Sequence, residues 1–140
     1  MSQLPQFLVD GLRSVGATAL SARGAAMLAT LPLANGRQQT VKFRIEPGQH
    51  GDYHILRIQS RVCVATDAVA VRTALQANVT ADWGHLALDL DADPSVIDVV
   101  YTFLLKDVSE SKIAALFRAI LRVAAFADGC ERQVTDADVF

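Results

Sequence analysis

The fold is decided by the stretch TVKFRI, residues 40–45, in which apolar and polar residues alternate strictly. A period of two places Val41, Phe43 and Ile45 on one face of a β-strand and the polar side chains on the other. One face of this strand is therefore expected to pack on a core while the other faces water. That pattern is typical of antiparallel sheets that are covered on one side.

Turn signals flank this strand on both sides. Asn35-Gly36 precedes it and predicts a type I′ hairpin, because both central residues of that turn need positive φ. The hairpin would join it to an earlier strand over Met27–Leu33, in which Pro32 indicates an edge position or a bulge. A second turn over 47–52 leads into a strand over about 53–64. These three strands are expected to form an antiparallel meander.

Helices are predicted on both sides of the meander. A first helix ends near Gly16, and the stretch 17–24 is ambiguous. A middle helix is predicted over about 67–78, with an apolar side and a capping residue at its start.

A second β-block follows the middle helix. Residues 85–90 alternate as the first block does, and eight of the ten residues over Val96–Leu105 are apolar. So apolar a run favours a central strand that is covered on much of both faces. The last helix is expected to begin after a cap at Asp107 or Ser109 and to end at Gly129, which suits the left-handed position after a helix.

The predicted fold class is therefore α+β, with the order α-β-β-β-α-β-β-α and an antiparallel sheet packed against helices. A chain of 140 residues, 51 % of them hydrophobic and 20 % charged, is long and apolar enough to bury one core. We expect a single domain over residues 1–129 and a short acidic tail over 130–140.

Composition also bears on location and partners. No apolar run approaches the length of a membrane span, and the N-terminus lacks the pattern of a signal peptide, so a cytoplasmic protein without a membrane partner is expected. The net charge is −2 and the basic residues are scattered, which disfavours nucleic acid as a partner.

One group of residues combines two histidines with a carboxylate. His50, Asp52 and His54 bring two imidazoles and a carboxylate together, which could serve a metal with an open position for water. Turns collect these residue types for backbone reasons as well, and no further ligand is marked elsewhere. We therefore expect no metal and no cofactor, and keep a metal- or ligand-binding domain as an alternative.

The sequence also contains no motif for nucleophilic catalysis. The chain has no G-x-S-x-G sequence and no glycine-rich phosphate loop. Cys63 lies inside an apolar strand, whereas Cys130 is expected just after a helix end and accessible, where the helix C-terminus disfavours a thiolate. We expect no catalytic residues and no enzymatic activity.

Residues of the second half carry a family resemblance. The middle helix ends in Leu75-Gln76-Ala77-Asn78, and after a short connection Gly84 precedes the alternating strand His85–Asp89. This pattern and the element order resemble the type III secretion chaperones and the YbjN-like proteins. The resemblance covers about residues 1–129 by element order and about 70–128 by local residues.

The resemblance implies a bacterial, cytoplasmic homodimer that holds an extended segment of a client or effector protein. Since the middle helix and the next strand often form the dimer contact in these families, it implies four interface candidates, Val71, Leu75, Trp83 and Leu86. Trp83 also suits a cover for the edge of the core. An immunity protein or antitoxin that blocks one specific partner is the alternative binding function.

Overall fold

A computed structural model describes residues 5–139, except for 24, 35, 49–52, 66–67, 80, 82–83 and 91; at residues 23 and 135–139 it describes the backbone alone. A short 3₁₀ turn, Ala77–Val79, follows the second helix. The described helices and strands are, in chain order, α1 (Gln6–Ser14), β1 (Thr18–Arg23), β2 (Ala26–Pro32), β3 (Gln38–Pro47), β4 (His54–Val64), α2 (Ala68–Gln76), β5 (His85–Asp89), β6 (Val96–Leu105) and α3 (Glu110–Val139).

The strands form one antiparallel sheet with the order β1-β2-β3-β4-β6-β5. β6 lies between β4 and β5, so the strand predicted to be central is paired on both sides. The chain reaches this position because α2 intervenes between β4 and the β5–β6 hairpin. The predicted α+β class with an antiparallel sheet is confirmed.

The first β-block has four strands instead of the predicted three. The ambiguous stretch forms β1, an edge strand whose pairing with β2 shifts register between Thr18 and Ser21. Ala19 there has a φ of 53°, a left-handed conformation that interrupts a regular strand and explains why no clean alternation is visible in the sequence. Pro32 lies beyond Thr30, the last β2 residue that pairs with β1, so it has no β1 partner.

The β2–β3 hairpin forms, but its turn differs from the predicted type. The N–H of Gly36 donates to the carbonyl of Leu33 (3.1 Å), and the N–H of Leu33 donates to the carbonyl of Arg37 (2.8 Å). Gly36, with a φ of 80°, therefore follows the turn instead of occupying its second central position. This is a three-residue connection, in which glycine takes the left-handed position after the turn; Asn35 lies outside the described residues.

The start of α3 is confirmed and its predicted end is wrong. The N–H of Lys112 donates to Ser109 Oγ (3.3 Å), as expected of a capping serine. The helix continues through Gly129 to Val139, and the residues assigned to a tail extend it. Buried Cys130 and Val134 continue its apolar stripe, so packing offsets the cost of about 1 kcal/mol that a helical glycine carries.

A buried carboxylate ties this part of α3 to the β2–β3 hairpin. Asp128 is 1 % exposed, accepts a hydrogen bond from Arg37 Nε (2.7 Å) and forms an ion pair with Arg132, whose Nε lies 3.3 Å from Asp128 Oδ2. The hydrogen bond and charge of Asp128 raise the pKa of Arg37. Two cations thus compensate the buried charge, and one of them, Arg37, is 91 residues away in sequence.

The helices cover one face of the sheet, here called the covered face. Phe43 and Ile58 of the central strands are fully buried there, together with Leu116 and Ile120 of α3 and Leu12 of α1. The opposite side, here called the open face, carries the alternate residues of the same strands.

Candidate functional site

The predicted metal ligands are only partly described. His54 begins β4 and is exposed, whereas His50 and Asp52 lie outside the described residues. Over the described ranges, no group of three or more His, Cys, Asp or Glu side chains is placed to hold a metal ion. The metal-binding alternative therefore stays a hypothesis.

The two thiols differ in burial. Cys63 is half-buried in β4, while Cys130 is 4 % exposed within α3. The expectation that Cys130 is accessible is wrong, because the helix continues past Gly129 and packs this side chain into the core. Burial raises the pKa of the Cys130 thiol, which disfavours the nucleophilic thiolate.

The residues proposed for an interface occupy different depths. Val71 is half-buried against the core and Leu75, one turn further along α2, is 39 % exposed. Leu86 of β5 is 3 % exposed, so its side chain belongs to the core of the chain itself. Trp83 lies outside the described residues.

Exposed apolar side chains concentrate on α2, the 3₁₀ turn and β5. Val79 is 87 % exposed and Leu90 is 73 % exposed, which is unusual for large aliphatic side chains. We call this region the α2–β5 surface; it comprises Val69, Leu75, Val79, Leu88 and Leu90.

Asn78 occupies part of the free edge of β5. Its Nδ2 donates to the carbonyl of Leu86 (3.1 Å), and its Oδ1 accepts from the N–H of the same residue (2.6 Å). An added strand would need these two backbone groups. A partner at the α2–β5 surface is therefore expected to make contact through side chains and not through strand addition at Leu86.

Gly84 positions β5 against the sheet. Its φ is 88°, and a Cβ atom at this residue would collide with the carbonyl oxygen of Val100 on β6. Glycine is therefore required at this position for β5 to pair with β6.

The open face is rich in charge on its two central strands. Lys42 and Arg44 of β3 and Arg57 and Arg61 of β4 line a shallow depression of about 370 Å³. The remaining lining residues are Glu46, Gln59, Asp89 and Ala92. This side of the sheet thus offers cations in a regular array.

The charged residues of the open face are not all paired in the same way. Glu46 accepts from Arg57 Nη2 (2.9 Å) and lies 4.0 Å from Arg44 Nη1, so two cations share one carboxylate. Asp98 is 4 % exposed and accepts a long hydrogen bond from Gln59 (3.4 Å). Burial raises the pKa of Asp98, and the attraction of Arg61 opposes this shift only in part.

Comparisons with known proteins give no match. No protein-family model fits the chain, and neither a curated protein nor a solved structure is significantly similar to it. In the part of the chain that the structure describes, no helix combines the length and apolar character needed to cross a membrane. Function is therefore inferred from the α2–β5 surface and the open face.

Sequence reasoning missed several residues of these surfaces. The sequence pattern places Asn78 at the end of the middle helix, whereas in the structure its side chain bonds the backbone of Leu86 on β5. The alternation over residues 85–90 predicts a strand but does not indicate that Leu88 and Leu90 are exposed. The leucine-rich alternation that follows Asn78 is the sequence signal that could have indicated these residues. The edge position of β5 depends on strand pairing between residues that are distant in sequence.

Proposed function

We propose that the chain is a non-catalytic, cytoplasmic protein-binding domain that forms a homodimer and holds an extended segment of a client protein. The α2–β5 surface carries this proposal. Of the seven large apolar side chains exposed among the described residues, five lie on this surface. The family resemblance implies a dimer contact through the same two elements.

The arrangement suits a side-chain interface. Val71 and Leu75 lie one turn apart on α2, and Val79 is exposed in the 3₁₀ turn that follows, so this end of the helix offers apolar side chains that a helix of a second copy can pack against. Full burial of one exposed Val or Leu contributes about 1.5–3 kcal/mol. A two-fold dimer would use each residue twice, because the same patch faces itself across the axis.

Oligomeric state tests the dimer directly. The wild-type chain is expected to be a dimer by light scattering coupled to size exclusion, and the double variant Leu75→Glu, Val79→Glu a monomer. Because both positions are exposed in the single chain, the variant is expected to keep the wild-type fold, which its far-UV circular dichroism spectrum checks. Val64→Glu with Leu104→Glu is the control, because both side chains are exposed about as much as Leu75 (41 % and 45 % against 39 %) and lie away from the surface.

The control variant should remain a dimer. A wild-type monomer at high protein concentration, or equal dissociation of both double variants, would contradict the dimer. For the client, limited proteolysis of a co-purified partner distinguishes the two binding functions. Protection of a short unfolded segment supports a chaperone, and protection of a whole folded domain supports an immunity protein or antitoxin.

A further inference from the structure

The cations of the open face follow the two-residue period of the strands. Lys42 and Arg44 alternate along β3, and Arg57 and Arg61 lie on β4 with Gln59 between them. Residues two apart in a strand are separated by about 6.7 Å. An extended peptide presents alternate side chains at the same interval, so acidic residues at every second position match this array.

Two of these cations have no ion-pair partner among the described residues. Among the described residues, the side chains of Lys42 and Arg61 form no ion pair within 4.0 Å. Both attract the buried carboxylate of Asp98, whose pKa nevertheless stays above its ordinary value. An incoming carboxylate can therefore pair with either cation without breaking an existing bridge.

Apolar residues adjoin the array. Ile55 of β4 pairs with Leu104 of β6 in the row beyond Arg57, and Leu104 is 45 % exposed. A peptide can place an apolar side chain on this pair, whereas inorganic phosphate cannot use it. Asp89, which also lines the depression, repels an anion there and directs it towards β3 and β4.

We infer that the open face binds an extended, acidic peptide segment, with carboxylates at alternate positions paired to Lys42, Arg44 and Arg61 and an apolar side chain on Ile55 and Leu104. This inference rests on the proposed role in protein binding but not on the dimer. It assigns the client contact to the open face and leaves the α2–β5 surface for the second copy.

Fluorescence anisotropy tests the inference with the full chain. The probe is a labelled peptide long enough to follow β3, in which Glu alternates with Val and the last Glu is replaced by Val, so that the carboxylates and one apolar side chain share a face. Its counterpart has Lys in place of each Glu. The acidic peptide is expected to bind and the basic one not, with affinity falling at high salt. Lys42→Gln with Arg61→Gln should weaken binding by about tenfold.

Arg13→Gln with Arg118→Gln is the matched control, because it removes two exposed cations from α1 and α3 and changes the net charge equally. This variant should bind as the wild type does. Equal weakening by both variants, or no binding of the acidic peptide, would overturn the inference. Tighter binding of a single-stranded oligonucleotide than of the peptide would also overturn it, in favour of nucleic acid.

The two proposals fail separately. The monomeric Leu75→Glu, Val79→Glu variant should still bind the acidic peptide, and the Lys42→Gln, Arg61→Gln variant should still be a dimer. A wild-type chain that is monomeric but binds the peptide would contradict the dimer proposal and leave this inference intact. A wild-type dimer that does not bind the peptide would contradict this inference and leave the dimer proposal intact.

Discussion

The two faces of the sheet are built from neighbouring residues of the same strands, yet they differ in almost every property. On β3, Val41 and Phe43 are fully buried beneath the helices, while Lys42, Arg44 and Glu46 lie on the uncovered side. The three described α-helices pack on the first face. The alternation of one strand therefore supplies the core of the fold on one side and a charged surface on the other.

Neither face is uniform. The covered face contains the polar pair Gln39 and Ser60, which are 6 % and 1 % exposed. The open face contains Asp98 and Val100, which are buried at 4 % and 5 % exposure although the described helices lie on the opposite face. These exceptions show where the simple rule of an apolar side and a polar side is modified, and they are the positions at which it can be tested.

The largest expected effect compares two adjacent residues of β3. Phe43→Ala leaves a cavity beneath the helices and should lower the free energy of unfolding by about 3–5 kcal/mol. Lys42→Ala, on the open face, should change it by no more than about 0.5 kcal/mol. Urea denaturation of both variants measures the difference. Similar losses for the two would show that the open face contributes to the core.

The sequence predicted the fold where one strong pattern determined it. Strict alternation over 40–45 located β3 and its buried face, and the apolar run of Val96–Leu105 located β6 at an internal position. The stripe of α3 predicted that helix but not its end. Gly129 favours termination locally, and only the packing of Cys130 and Val134 against the core, which the sequence does not show, carries the helix onward.

The surfaces were less accessible to prediction. The resemblance pointed to α2 and β5 and included Leu75. It did not point to Val79, which is exposed in the 3₁₀ turn, or to Leu90, which follows the edge strand β5. The edge position of β5 depends on the pairing of β6 with β4. The cations of β3 and β4 looked scattered along the sequence. They converge because a hairpin aligns Lys42 with Gln59 and Arg44 with Arg57.

An intermediate effect is expected at the polar pair of the covered face. Ser60 Oγ donates to the carbonyl of Thr40 (2.8 Å) and accepts from Gln39 Nε2 (2.9 Å). Ser60→Ala should therefore lower the free energy of unfolding by about 1–2 kcal/mol, because it leaves buried polar groups with fewer partners. Thr102→Ala, at an exposed position of the open face, is the control and should change stability by less than about 0.5 kcal/mol. A neutral Ser60→Ala would mean that the pair adds no stability.

The smallest effect should be a gain, at Asp98 of the open face. Burial raises the pKa of this carboxyl above its ordinary value of 3.8, and Arg61 offsets the shift only in part. The native state therefore holds the proton more tightly than the unfolded state. The contribution of Asp98 to stability is most favourable below the ordinary value and is lost as the pH rises through the raised one.

Asp98→Asn removes this titration while its side-chain oxygen can still accept from Gln59. The variant should be more stable than the wild type at neutral pH, and the stability difference between them should shrink steadily as the pH is lowered towards 4. Denaturation of both proteins across this pH range measures the stability difference. Because the two proteins are compared at the same pH, the titration of all groups that they share cancels. A constant difference would show that burial does not disfavour the charge of Asp98. A loss of stability at neutral pH would show that Arg61 and Lys42 outweigh burial, in which case these cations are less available to a bound acidic segment.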